Sequence, residues 1–344
     1  MSLPVTIRLS TISVRVRPRG VTVCVALLVA AFLLLCLGMT IGDVPMGLSD
    51  VLTGLFTNSD AGNAYIVQEL RLPRALTGLL AGLAFGASGA VFQTITRNPL
   101  ASPDMIGINA GAATAVVAGI AFGFGNGLGT TTLGLLGGLL SGLVVYLLAW
   151  RRGTTGYRIL LVGIGISAMC TSLTDYLLSK AQITEAQSSM GWLVGNLANR
   201  GWDNVLPLFA ACVVLFPLVL GLSRWMGTLT LGDEVAAGLG TPVQPVRLGL
   251  LLAGAGLVAF ATASAGPIAF VALTAPQIAQ RLARVSSPPV VTSALGGGVL
   301  VLGSDIVARV LTPTGLPVGI VTGALGAPVL LWLLVRANRS GSGG

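Results

Sequence analysis

Five stretches of 20 to 26 residues contain no Asp, Glu, Lys or Arg: 21–41, 75–96, 204–223, 285–304 and 310–335. No other feature limits the possible folds of this chain as strongly. An ionised side chain at the centre of a membrane helix costs roughly 2.5 to 3.5 kcal/mol, and about 20 apolar residues cross a bilayer. Each stretch therefore predicts one span. The 46-residue run 105–150 must fold back once and gives two, with its turn expected at Gly123-Phe124-Gly125-Asn126-Gly127. Residues 159–179 give another, with Asp175 near one end. The run 248–280 is broken at Gly266-Pro267 and gives one full helix and one shorter helix. The expected fold is all-α and polytopic, with ten transmembrane helices. A soluble alternative needs a charged exterior, and only 9% of the residues are charged against roughly 25% in average proteins.

The chain has no histidine, which removes His-ligated metal sites and Ser-His or Cys-His nucleophiles. Its single lysine, Lys180, follows Ser179 and precedes Ala181, so no phosphate loop ending in Gly-Lys-Ser/Thr exists. No catalytic residue, cofactor site or metal site is expected. The net charge of +8 comes without a basic stripe or an RNA-binding signature, and nucleic acid is not an expected partner. Cys24, Cys36, Cys170 and Cys212 all fall in apolar stretches and read as buried small hydrophobes.

Arg8, Arg15, Arg17 and Arg19 precede 21–41 as in a signal peptide, but that stretch is too long for one and has no small-residue cleavage site. It is expected to remain as a helix. Starting in the cytoplasm and alternating through ten spans places 14 of the 19 basic residues inside, which fits the positive-inside rule. The five outside are Arg71, Arg74, Lys180, Arg200 and Arg309. This topology divides the chain into a cytoplasmic segment 1–20, a ten-helix unit 21–336 with a cytoplasmic loop 224–247, and a cytoplasmic tail 337–344. The lipid bilayer is the main solvent.

Glycines recur every fourth residue at Gly78, Gly82 and Gly86, at Gly134, Gly138 and Gly142, and at Gly315, Gly319 and Gly323. Such a series lets another backbone approach closely, within one subunit or between two. A proton-driven carrier would need a carboxylate in mid-membrane. Glu69, Asp175 and Asp305 fall near outer span ends, and Asp104, Asp233 and Glu234 near inner ones.

Two polar clusters interrupt the apolar background. In Arg71-Leu72-Pro73-Arg74 the two arginines would share one face of a starting helix, which makes an acceptor site for carboxylates. Arg309 adds charge at the same outer side. Interfacial snorkelling is the alternative. The second cluster is Leu231-Gly232-Asp233-Glu234-Val235-Ala236-Ala237-Gly238-Leu239-Gly240, acidic at its start and closed by glycine. It predicts a short cytoplasmic helix that either enters a partner's groove or serves as a solvated connector.

Several stretches in order resemble one family: the permease subunits of type II ATP-binding cassette importers for iron-siderophore, haem and cobalamin, the FecCD or BtuC-like group. They are Arg71-Leu72-Pro73-Arg74, Gly89-Ala90-Val91-Phe92-Gln93, Arg97-Asn98-Pro99-Leu100-Ala101-Ser102-Pro103-Asp104, Leu231-Gly232-Asp233-Glu234, Gly266-Pro267-Ile268-Ala269-Phe270, Asp305-Ile306-Val307-Ala308-Arg309, Leu316-Pro317-Val318-Gly319-Ile320 and Gly326-Ala327-Pro328. Within it, Trp150-Arg151-Arg152-Gly153, Gly163-Ile164-Gly165, and Trp192 with Gly195-Asn196-Leu197 are most like the ferric enterobactin G-subunit branch.

The resemblance implies ten helices per subunit and a permease pair, homodimer or heterodimer, on two ATPase subunits that bind ATP and Mg. It implies an extracytoplasmic siderophore-binding protein, a ferric siderophore as cargo, and a bacterial inner or plasma membrane with both termini cytoplasmic. Haem or cobalamin is the alternative cargo. By resemblance, Arg71, Arg74 and Arg309 meet glutamates of the binding protein, and Gly232, Asp233, Glu234, Gly238, Leu239 and Gly240 form the helix coupling to the ATPase. The segment 153–157 resembles the cytoplasmic gate, with Thr154 and Thr155 its candidates. Gln277 and Gln280 stand where the family commonly has His and Arg, with Arg281 the nearest substitute charge.

Overall fold

A computed structural model of the chain describes residues 5–341 apart from 10–11, 17, 43, 57–60, 124–128, 151–153 and 312–314. For the N-terminal hairpin and for 333–334 and 336–341 it describes the backbone alone. The fold opens with antiparallel strands β1 (Val5–Leu9) and β2 (Ile12–Val16), the one departure from helix among the described residues. Helices α1 (Pro18–Thr40), α2 (Leu48–Phe56), α3 (Ala61–Tyr65) and α4 (Leu72–Thr96) follow. Next come α5 (Ile108–Ala121), α6 (Thr130–Ala149), α7 (Gly156–Lys180), α8 (Ile183–Leu193) and α9 (Trp202–Ser223). The short α10 (Met226–Leu229) and α11 (Asp233–Gly238) lead to α12 (Val243–Ala265), α13 (Val271–Ala283), α14 (Val290–Leu311) and α15 (Val318–Gly341).

Seven helices among the described residues are long and apolar enough to cross a bilayer, and α5 and α15 add shorter apolar stretches. With the 13-residue α13 they make the ten expected spans. The turn expected between α5 and α6 at 123–127 lies mostly outside the described residues. Three boundaries differ from expectation. The last two spans begin later, at Val290 and Val318, each directly after a proline, Pro289 and Pro317, whose ring disfavours helix at the residue before it. Helix α15 continues to Gly341, beyond the predicted end at 336.

Helix α4 forms the centre of the bundle, with α9, α12, α13 and α14 packed around it. Its glycines permit this. A Cβ on Gly82 would lie 2.5 Å from the Gly297 carbonyl oxygen, and one on Gly86 would lie 2.1 Å from that of Ser293. This first glycine series therefore packs α4 on α14 within the subunit. In the second series the tight approach is made instead by Gly137, whose Cβ would stand 2.4 Å from the Gly111 carbonyl oxygen. In the third only Gly319 meets a backbone, at Val194.

Two irregular segments enter the bundle. After α4, Arg97 adopts φ 53° and the Asn98 side chain accepts from the Leu100 N–H at 2.9 Å. A 3₁₀ turn, Pro103–Ile106, then packs against Gly163 in the second turn of α7. The chain has by then risen well into the bundle, so α5 needs only 14 residues. Asp104 in this turn accepts a bond from the Asn109 amide. The second irregular segment is the expected break at Gly266, whose φ of 77° ends α12.

Candidate functional site

Polar side chains gather at the two ends of α4, which are about 37 Å apart at 1.5 Å per residue over 25 residues. At its start, Arg71 and Arg74 do not open a helix as the sequence suggests. Helix continues without interruption from Ala61 to Thr96 through a π-helical turn, Ile66–Arg71. The wider turn just before Pro73 accommodates a ring that would clash with the carbonyl four residues back in a regular helix. With no helix N-terminus there, the dipole argument for anion binding fails, and the arginines themselves supply the charge.

Those arginines are largely engaged. Arg71, 8% exposed, donates to the carbonyls of Met39 (2.7 Å), Thr40 (3.1 Å) and Val44. Arg309 donates to those of Gly38 (2.8 Å) and Ile41 (2.7 Å). Together they satisfy the carbonyls that end α1, which would otherwise lack donors. Asp305, 2% exposed, lies between Arg74 (2.8 Å) and Arg309 (2.9 Å). Arg74 keeps the most open guanidinium of the ion-paired arginines here, with 23% of its side chain exposed. All three expected residues line one cavity of about 750 Å³, joined by Glu69, Arg200 and Asn196. Four lining residues are arginines and one, Glu69, is a carboxylate; Asp305 paired with Arg74 and Arg309, and Asp203 beside Arg200, still leave a positive surplus. Asp305 was missed as the hub because its role depends on Arg74, 231 residues away. Its i,i+4 spacing to Arg309 was the available signal.

At the other end, the expected short helix is α11, flanked by Gly232 at φ 109° and Gly240 at φ 80°. Ala236 alone in it is buried, while Val235 within it and Leu231 and Leu239 on either side of it are exposed. Asp233 accepts from Arg247 at 2.6 Å and from Arg97 at 3.4 Å. Glu234, Gly238, Leu239 and Gly240 are exposed. Arg247 belongs to α12 and is 1% exposed, so it does not close a cytoplasmic loop as the sequence suggests. It donates to the Thr154 carbonyl at 2.5 Å. Gln244 bonds the same residue from both sides, accepting from its N–H at 3.1 Å and donating to its carbonyl at 3.4 Å. Thr155 caps α7 by accepting from the Arg158 N–H. The structure thus brings Thr154 and Asp233 onto one buried arginine. Of the rest of the expected gate segment, Gly156 and Tyr157 open α7, and Gly153 lies outside the described residues.

Between the two ends, Gln277 donates to Gln93 at 2.6 Å, and Gln93 donates to the Leu273 carbonyl at 3.0 Å, tying α13 to α4. Gln280 donates to the Ser286 carbonyl at 2.8 Å and closes the turn after α13. Arg281 lies over the Trp332 ring at 5.0 Å, where it makes a cation–π contact. Both glutamines therefore have structural partners of their own.

Comparison with known proteins gives consistent matches. Residues 27–336 match the family model described as the FecCD transport family. The chain is 38% identical over 304 residues to the ferric enterobactin transport system permease protein FepG of Escherichia coli, covering 88% of this chain and 92% of that protein. It is 37% identical over 318 residues to the achromobactin transport system permease protein CbrC of Dickeya dadantii, covering 91% and 90%. Among solved structures it resembles one described as an inward-facing metal-chelate type ATP-binding cassette transporter. The TM-score is 0.81 at 26% identity, covering 92% of this chain and 99% of that one.

Proposed function

Because the chain belongs to the FecCD transport family, we propose that it is the multi-pass permease subunit of an importer carrying a ferric siderophore into the cytoplasm by alternating access. The observation that carries the ATP-driven part of this reading is α11. A six-residue helix that buries one alanine and exposes Val235, with exposed Leu231 and Leu239 flanking it, has little role in its own bundle. It suits insertion into a groove on another protein. That partner is one of two separate ATPase subunits, which hold the ATP and Mg.

Helix α7 supports a second permease subunit. Only 17% of its apolar stretch is buried, yet it exposes Thr171, Ser172, Asp175 and Ser179. By contrast α1, 6% buried, exposes only apolar side chains from Val25 to Leu37 and suits lipid there. The polar face of α7 suits a water-filled pathway or a partner subunit. The arginine cavity faces the outside and receives acidic residues of an extracytoplasmic binding protein. This orientation keeps both termini in the cytoplasm and places the chain in a bacterial inner or plasma membrane. ATP binding draws the ATPases together, α11 follows, and the permease pair changes the side to which it opens.

A proton-coupled carrier fits the carboxylates less well. Asp305, the carboxylate best placed at the outer cluster, is held by two guanidinium groups. The deciding experiment is uptake of iron-55-labelled siderophores by cells lacking this chain, with cobalamin and haem in parallel. The expected result is loss of siderophore uptake alone, restored by the gene. Loss of cobalamin or haem uptake instead would replace the cargo, and uptake without the ATPase would replace the mechanism.

A further inference from the structure

Arg247 is the largest fully buried side chain among the described residues, and a buried cation is costly. Its pairing with Asp233 does not by itself justify the cost, since an apolar side chain of similar volume is often as stable in such a place. The arrangement remains imperfect, because its Nε has no hydrogen-bond partner. What the guanidinium provides is two ends. Nη2 holds the Asp233 carboxylate in α11, and Nη1 holds the Thr154 carbonyl two residues before α7 begins. Asp233, 14 residues away, and Thr154, 93 residues away, thus meet on one rigid fork.

The surroundings make this a path for force. Helix α11 is otherwise weakly seated, with Ala236 as its buried anchor. The start of α7 bears on the end of α4, where a Cβ on Gly156 would stand 2.5 Å from the Ile95 carbonyl oxygen. A pull on Thr154 therefore turns α7 about that contact. Helix α7 is also the polar, sparsely packed span described above.

We propose that Arg247 is a positioning residue that transmits displacement of α11 to the entry of α7, coupling the nucleotide state of the ATPase to the pathway helix. This rests on the reading of the chain as an ATP-driven permease. Two spin labels test it in the assembled complex in nanodiscs, one at Tyr157→Cys at the start of α7 and one at Gly227→Cys on α10. Both positions are exposed, and a Cβ at Gly227 meets nothing within 4 Å. The label distance is measured with and without a non-hydrolysable ATP analogue, beside ATP turnover and uptake.

With Arg247 intact the distance changes with nucleotide. With Arg247→Met that change is lost, and uptake per ATP hydrolysed falls about tenfold while ATP turnover persists. Arg247→Lys guards against misfolding. It keeps a cation for Asp233 but cannot hold two separated acceptors, and the expected fall is at least about threefold. A normal distance change and normal uptake per ATP in Arg247→Lys, or in a folded Arg247→Met, would overturn the proposal. If the ATPase does not bind, or nucleotide moves nothing in the otherwise unaltered protein, the underlying reading fails as well, which separates the two failures.

Discussion

A single carboxylate organises one end of the bundle. Asp305 neutralises part of the charge of Arg74 and Arg309, which lets Arg309 remain beside Arg71 at the carbonyls that close α1. Removing one partner of a buried pair leaves the other desolvated without compensation, so Asp305→Asn is expected to destabilise the purified protein by about 2 to 3 kcal/mol. A thermal melt in detergent checks this, and an unchanged midpoint would mean the cluster is only decorative. The two helix-initiating arginines of the sequence also separate. Arg71 is spent on α1, whereas Arg74 retains an exposed edge. Arg74→Gln should weaken capture of the extracytoplasmic binding protein about tenfold while leaving ATPase assembly intact. Surface plasmon resonance on reconstituted complex reads the first, and co-purification the second. Arg71→Gln should instead lower the yield of folded protein.

The elements divide into those fixed by packing and those left for partners. Helix α4 permits no side chain where α14 crosses it, and its glycine spacing was legible in the sequence because close approach requires every fourth residue to lack a Cβ. Helix α11 shows the opposite condition. A Cβ at Gly238 meets nothing within 4 Å, so Gly238→Trp should leave the subunit folded. Any defect then reports on what α11 touches. Uptake is expected to fall about tenfold or more with normal membrane insertion. Normal uptake in this variant would count against α11 as the coupling element.

At the scale of the molecule, the unpartnered faces are of two kinds. Cysteines placed singly at Phe32 and Leu33 of α1 should resist a charged thiol reagent in intact membranes, because that face meets lipid. Cysteines at Thr171 and Ser172 of α7 should react, and their labelling should change with nucleotide. Equal resistance at all four would place α7 against lipid and remove the pathway assignment. The sequence by itself determined that the chain crosses a membrane many times, close to the ten spans expected, that its helices meet on glycine, and where one short helix projects. These follow from local quantities: charge-free length, residue spacing and turn chemistry. Tertiary structure alone decided that Arg71 caps α1, that Asp305 joins two arginines, and that Arg247 joins Asp233 to Thr154. Hydrogen bonds and ion pairs between residues as far as 271 positions apart leave no periodic trace in a single sequence. The same arginine can snorkel, dock a partner or fill a core until its neighbours are known.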